Sequence, residues 1–383
     1  MSLLKKSQLT LVLSIFIAFA IIATGFSVGY WYARLVSARE QVPALPSPNS
    51  SPNPSPVPVP APVPPAPEPQ PEPEPEPGPE PVPSLNYNIP VLVLKYFPTR
   101  DGKIDSKVTG MNEDLTVVKA RVDRVTAELT TALEKGSTFH GYKNLDATPS
   151  LNYTITEEKE FLTAMPLSNN EIPWNKGIYR PDYAQILNEI GICNLVESKG
   201  VKEVWVWGYH YGNLEPAESN MAGPYGDVSN SERIDDLPVC SKTYTLYNYN
   251  YGRGLAEALE DHTHQIEAVL KYIDNDLFWN KFVRPYGSQT ETNHCGWTHY
   301  PPNGRSDYDW YNEGSVWSDC EDWKPDGQGE KQQVSCHTWA GANCSDDGGT
   351  AFKIWWMQNI PRGWWDFITD FDQMVKLGRG LAL

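Results

Sequence analysis

Beyond residue 85, short apolar runs along the chain alternate with stretches of helical spacing. VLVLKY at 91–96 is a compact β-rich run, as a strand buried on both faces requires. Residues 116–136 then carry Val118, Val122, Val125, Leu129 and Leu133 at helical spacing and stop at Gly136. LNYTI at 151–155 alternates and predicts a second strand. Asp182 is placed to cap a helix that buries Tyr183, Ile186, Leu187 and Ile190 and ends near Gly200. KEVWVWGY at 202–209 predicts a third strand, and residues 243–249 a fourth. A glycine turn and a helix to residue 273 follow it. Strands separated by helices of this length predict βαβ units. The expected fold class is α/β, a mainly parallel sheet flanked by helices.

After Phe282 the pattern breaks. Trp, Tyr, His, Asn, Gly and Cys dominate, and residues 294–323 show no sustained period. This stretch predicts a long loop-rich excursion over the core. Two short helices are expected after it, at 351–359 and 364–377. No linker divides residues 85–383, so they are expected to form one globular domain.

The N-terminal pattern is of another kind. Residues 7–33 contain no charge. As a helix they would be about 40 Å long, enough to cross a hydrocarbon core of about 30 Å with some tilt. Lys5 and Lys6 precede the run, and Tyr30, Trp31 and Tyr32 close it as an interfacial aromatic group. An uncleaved transmembrane signal anchor is expected, with residues 1–6 cytoplasmic and the rest extracytoplasmic. The apolar core of a cleaved signal peptide would be shorter. Residues 34–84 form a Pro/Glu-rich linker, in which 43–84 hold 20 of the 34 prolines. Alternating prolines lock φ and remove backbone donors, which predicts an extended polyproline II stalk reaching ~130 Å.

Composition narrows the partners. Forty-eight acidic residues against 31 basic ones give a formal charge of −17, the opposite of a nucleic-acid footprint. The sequence contains no GxxxxGK, GxGxxG or HExxH motif, so no nucleotide or dinucleotide cofactor is expected. All six cysteines lie beyond the stalk, in the compartment where disulfides form. There is no CxxC pair, and the 15 possible pairings stay open.

The chemistry is expected where the sheet ends. Ligands of open parallel sheets sit at the carboxyl ends of strands. The third strand runs out into Gly208-Tyr209-His210-Tyr211-Gly212, then Glu215 and Glu218; the fourth runs into Asn250, Arg253 and Glu257. The turn around His210 has the spacing of a nucleophile elbow but lacks the serine. If the two strands are neighbours, His210, Glu218, Arg253 and Glu257 face one cleft and form the expected catalytic set. On a helical wheel Leu255, Leu259, Ile266, Val269 and Ile273 share one face. Arg253, Glu257, Glu260, Asp261, His264, Glu267 and Lys271 share the other. His262 and His264 point about 200° apart, which gives His262 to the core. The expected ligands of a divalent metal ion are His264, Glu257, Asp261 and Glu267. His294, His299, Asp307 and Asp309 are further contributors to the same cleft.

A bland reading competes with this one. Arg253–Glu257, Glu260–His264 and Glu267–Lys271 are i,i+4 neighbours, as on a solvated, ion-paired face. The leading functional reading is a tethered, metal-assisted hydrolase of a cell-envelope polymer, glycan or peptide. One alternative is a glycan- or protein-binding surface module using the Trp/Tyr-rich C-terminal half. Another is a metal-independent glycosidase in which Glu218 acts as acid or nucleophile.

Overall fold

A computed structural model describes residues 87–383 apart from 139–143, 145, 226–227, 232–236, 284–293, 346, 362 and 382–383. The expected anchor and stalk lie outside the described residues. Within those described, no helix is long and apolar enough to cross a membrane.

The chain enters on β1 (Tyr87–Tyr96), buried on both faces from Val91 onward. A helix, α1 (Leu115–Gly136), returns along the sheet with Val118, Val122, Val125, Leu129 and Leu133 inward, as their spacing predicts. Then come β2 (Leu151–Phe161), β3 (Glu203–Gly208), the short β4 (Ser219–Ala222) and β5 (Tyr244–Asn250). The sheet order is β2-β1-β3-β5-β4. The first four strands are parallel, and β4 pairs antiparallel with β5 as an edge. The sheet is thus mixed but mostly parallel, with helices against it. The adjacency of β3 and β5 is real, with Glu203 opposite Thr245 and Gly208 opposite Asn250.

The long helix α2 (Leu255–Asn275) follows β5 directly and keeps regular geometry to Ile273, its predicted end. Asp274 leaves helical geometry at φ −153°, and a π-helical turn continues to Val283. The helix expected after Asp182 is split in two. Asp182 caps Gln185 N at 2.8 Å, but Gly191 adopts φ 67° and starts a second short helix. Only glycine takes that left-handed geometry at no steric cost. Near the C-terminus α3 (Thr350–Asn359) crosses α1 closely: a Cβ at Gly136 would lie 2.4 Å from Met357 Cε. The last expected helix is also split, at Asp370, whose carboxylate accepts from Gln373 N.

The C-terminal third is loop-rich and cross-linked. Cys193–Cys240, Cys295–Cys320 and Cys336–Cys344 are the disulfides. Half of the tryptophans there, Trp310, Trp355, Trp356, Trp364 and Trp365, belong to the core rather than to a display surface. Each such side chain contributes on the order of 2–3 kcal/mol of burial.

Candidate functional site

The site grows from the start of α2, at the carboxyl end of β5. Positions 257, 260, 261, 264 and 267 fall one turn apart and share a face. The wheel expectation of a solvated face is overturned. Asp261, His264 and Glu267 are each 6 % exposed or less. The residues around His299 and the helix α3 cover them.

His264 is fixed first. Its Nδ1 lies 3.1 Å from Glu267 Oε2, an acceptor, so that nitrogen donates, and in the neutral ring Nε2 presents the lone pair. The other Glu267 oxygen accepts from Thr298 N at 2.7 Å and Thr298 Oγ1 at 2.8 Å. Glu267 therefore stands behind His264 and docks the loop that brings in His299. It is not placed as a ligand.

His299 Nε2 lies 2.9 Å from His264 Nε2 and 2.8 Å from Glu260 Oε1, and Tyr308 Oη lies 3.3 Å from it. The remaining distance, His264 Nε2 to Glu260 Oε1, is 4.0 Å. Two imidazole nitrogens and one carboxylate oxygen thus converge on one point. A group of this composition and spacing can hold a divalent cation.

Glu260 is kept ionised. Burial alone would raise its pKa, but the His299 hydrogen bond and the Lys353 cation outweigh it and hold the carboxyl at about 2. Lys353 Nζ lies 2.8 Å from Glu260 Oε2. Opposing effects also meet at His264. Burial disfavours the imidazolium, yet Glu267, with Glu218 and Glu260 behind it, raises the pKa above its usual value.

The other expected residues are not among the three converging groups. Glu257 pairs with Arg253 at 2.6 Å through Oε1, while Oε2 is buried with no hydrogen-bond partner. Burial pushes its carboxyl up to about 7; Arg253 opposes this, and Glu260 and Glu218 add to it. Asp261 is buried and pushed well above the carboxylate range by burial, then by Glu218, Glu257 and Glu260. Glu218 accepts from Asn230 Nδ2 and acts electrostatically on Glu257, Asp261 and His264. His210 is exposed at the end of β3 and is not one of the three converging groups. Glu267 pairs with His264 and not with Lys271. Lys271 Nζ instead sits 4.4 Å from the Trp279 ring centroid.

His262 is the core residue its wheel position predicts. Its Nε2 meets Tyr249 Oη at 2.6 Å, its ring stacks on Tyr247 at 3.8 Å, and burial holds it neutral, at about 3. His294 pairs with Asp319 at 2.6 Å, away from the site. Asp309 serves its own loop, accepting from Arg305 N. Asp307 is exposed beside Tyr308.

A second group, Cys336, His337 and Cys344, also has metal-compatible spacing. Its two sulfurs are joined in a disulfide, so neither is a thiolate ligand here. Glu260 and Lys353 are the residues that sequence reasoning did not assign to a site. Glu260 reads from the wheel only as an ion-pair partner. Lys353 had one visible sign, a lone charge in the apolar run TAFKIWWM.

No protein-family model matches the chain, and no curated protein matches it.

Proposed function

We propose that this protein is a metal-dependent hydrolase, held outside the membrane on a stalk and acting on a cell-envelope polymer. The observation that supports it is the convergence of Glu260 Oε1, His264 Nε2 and His299 Nε2, with Glu267 behind His264 and Lys353 behind Glu260. Three protein donors leave a coordination position for water, the arrangement of a catalytic rather than a structural zinc site. A cation held there would lower the pKa of that water and supply the nucleophile. Glu260 would bind as a carboxylate and the two histidines as neutral imidazoles, with Glu267 fixing the tautomer of His264. Glu257, buried and poised at about 7, takes the proton that the attacking water loses. Arg253 holds one of its oxygens and leaves the other for that task. Tyr308, exposed at the rim and against His299, is placed to contact the substrate.

The test is metal content first, then activity. The purified protein is expected to bind one equivalent of Zn²⁺ or Co²⁺ by plasma emission spectroscopy. His264→Ala and His299→Ala should lose it while retaining native circular dichroism. Glu257→Gln should keep the metal and lose at least ~100-fold in turnover of envelope glycan or peptide fragments. A folded wild-type protein that binds no metal would overturn the reading.

A further inference from the structure

Lys353 is wholly buried, 0 % exposed, in a helix whose other residues are mainly apolar and aromatic. An ammonium carries three donors. Here they meet Glu260 Oε2 at 2.8 Å, Ala256 O at 3.1 Å and Gly348 O at 3.1 Å. The Trp310 ring covers Nζ at 4.5 Å from its centroid. The seat is tight. A Cβ at Gly349 would meet the same Trp310 ring at 2.4 Å, so the backbone just before α3 approaches that ring as only glycine allows. The ammonium is thus fixed from both sides, by the first turn of α2 and by the entry to α3.

The two oxygens of Glu260 are thereby divided. Oε1 faces His299 at 2.8 Å, and Oε2 belongs to Lys353. A bidentate carboxylate would need Oε2 as well, and would have to share it with a buried ammonium whose charge opposes a second cation beside it. The count of donors then matters. Hard cations such as Ca²⁺ and Mg²⁺ take six or more oxygens, often through bidentate carboxylates in the case of Ca²⁺. The converging set offers two nitrogens and a single oxygen, which suits borderline cations.

We propose that Lys353 is a positioning residue that makes Glu260 a one-oxygen ligand and so restricts the centre to borderline cations of the zinc class. This rests on the metal-centre reading above. Lys353 sets the cation chosen and its geometry without touching the substrate.

Co²⁺ is the probe, because its visible d–d absorption reports coordination number. The wild-type protein is expected to give the intense band of a four-coordinate ion. X-ray absorption of that sample should show Glu260 bound through one oxygen. In Lys353→Met, Glu260 is released, the band should weaken as the coordination number rises, and the preference for Zn²⁺ over Mn²⁺ should fall about tenfold or more, the scale on which groups behind metal ligands act. Lys353→Met with unchanged spectrum and unchanged Zn²⁺/Mn²⁺ preference would overturn the role given to Lys353 while leaving the centre standing. Wild-type protein that takes up no Co²⁺ overturns both. If Lys353→Met does not fold, the wild-type X-ray absorption decides: a two-oxygen carboxylate in the Co²⁺ shell refutes the proposal, and a one-oxygen carboxylate supports it.

Discussion

Glu257 and Glu260 are three residues apart on one helix and end in opposite states. Both lose water on folding, which raises a carboxyl pKa. Glu260 is offset by His299 and Lys353 and settles at about 2; Glu257 is opposed by an exposed arginine and, less, by Lys353, and settles at about 7. That separation is what a ligand and a base on one face require. The same physics acts with no cation to oppose it at Glu203, buried in β3, where Trp205 Nε1 donates to Oε2 at 2.7 Å and Oε1 has no partner. Burial raises this carboxyl from 4.5 to about 8, against the small opposing effect of Trp205. The folded chain therefore keeps a proton that the unfolded chain releases. The contribution is fully present below pH 4.5 and is lost as pH climbs to about 8. The slope is at most ~1.4 kcal/mol per pH unit. Glu203→Gln, which keeps an acceptor for Trp205, should match the wild type near pH 5 in urea denaturation. It should exceed the wild type by ~2–4 kcal/mol at pH 8. Equal stability of the two proteins at both pH values would mean that Glu203 ionises as it does in water.

The site depends on one irregular element lying over one regular one. The segment from Cys295 to Cys320 has little secondary structure, so side chains hold it to α2 and α3. Thr298 binds Glu267, Trp356 Nε1 donates to Gly296 O at 3.1 Å, and the disulfide closes a loop with a sequence separation of 25. Replacing both cysteines by serine should cost about 3 kcal/mol of stability in denaturant. It should also weaken metal binding, because His299 rides on this loop. Unchanged metal affinity in the double mutant would show that the Glu267–Thr298 contact positions His299 unaided. This division explains what the sequence could reveal. The four parallel strands and α1 were legible because each carries its own periodicity, and so was the expulsion of His262 to the core. The edge strand Ser219–Ala222 was not: four small or polar-flanked residues have no pattern until β5 pairs with them. The hairpin at Leu167–Ile172 and Asn175–Pro181 stayed hidden for the same reason. A wheel sees one helix only. It collected Glu257, Asp261, His264 and Glu267 as ligands, yet two of the three donors depend on what covers the helix. His299 comes from 35 residues downstream of His264, and the Lys353 that holds Glu260 from 93 residues downstream of it.

On the scale of the whole molecule, the proposed metal centre couples three elements distant in sequence: α2, the His299 loop and α3. The unfolded chain cannot bring these donors together, and its cysteines are tied in disulfides rather than free to bind metal. A cation should therefore bind the folded state almost alone, and its binding energy becomes folding energy. With Zn²⁺ at 100 times its dissociation constant, the gain is ~2.7 kcal/mol. For a domain of this size that corresponds to a rise in melting temperature of about 2–5 °C, reversed by a chelator. Two variants sharpen the expectation. His299→Ala removes a proposed ligand that is partly exposed and tilted against Tyr308, so it should lower the metal-free melting temperature less than a change at a wholly buried residue while abolishing the response to Zn²⁺. Glu260→Gln should do the reverse in one respect. It leaves Lys353 buried beside a neutral amide, so the metal-free protein itself should lose several kcal/mol. Differential scanning calorimetry with and without Zn²⁺ separates the two effects. If Zn²⁺ raises the melting temperature of His299→Ala as much as that of the wild type, the cation sits elsewhere in the molecule, and the convergence of Glu260, His264 and His299 is then a hydrogen-bonded core.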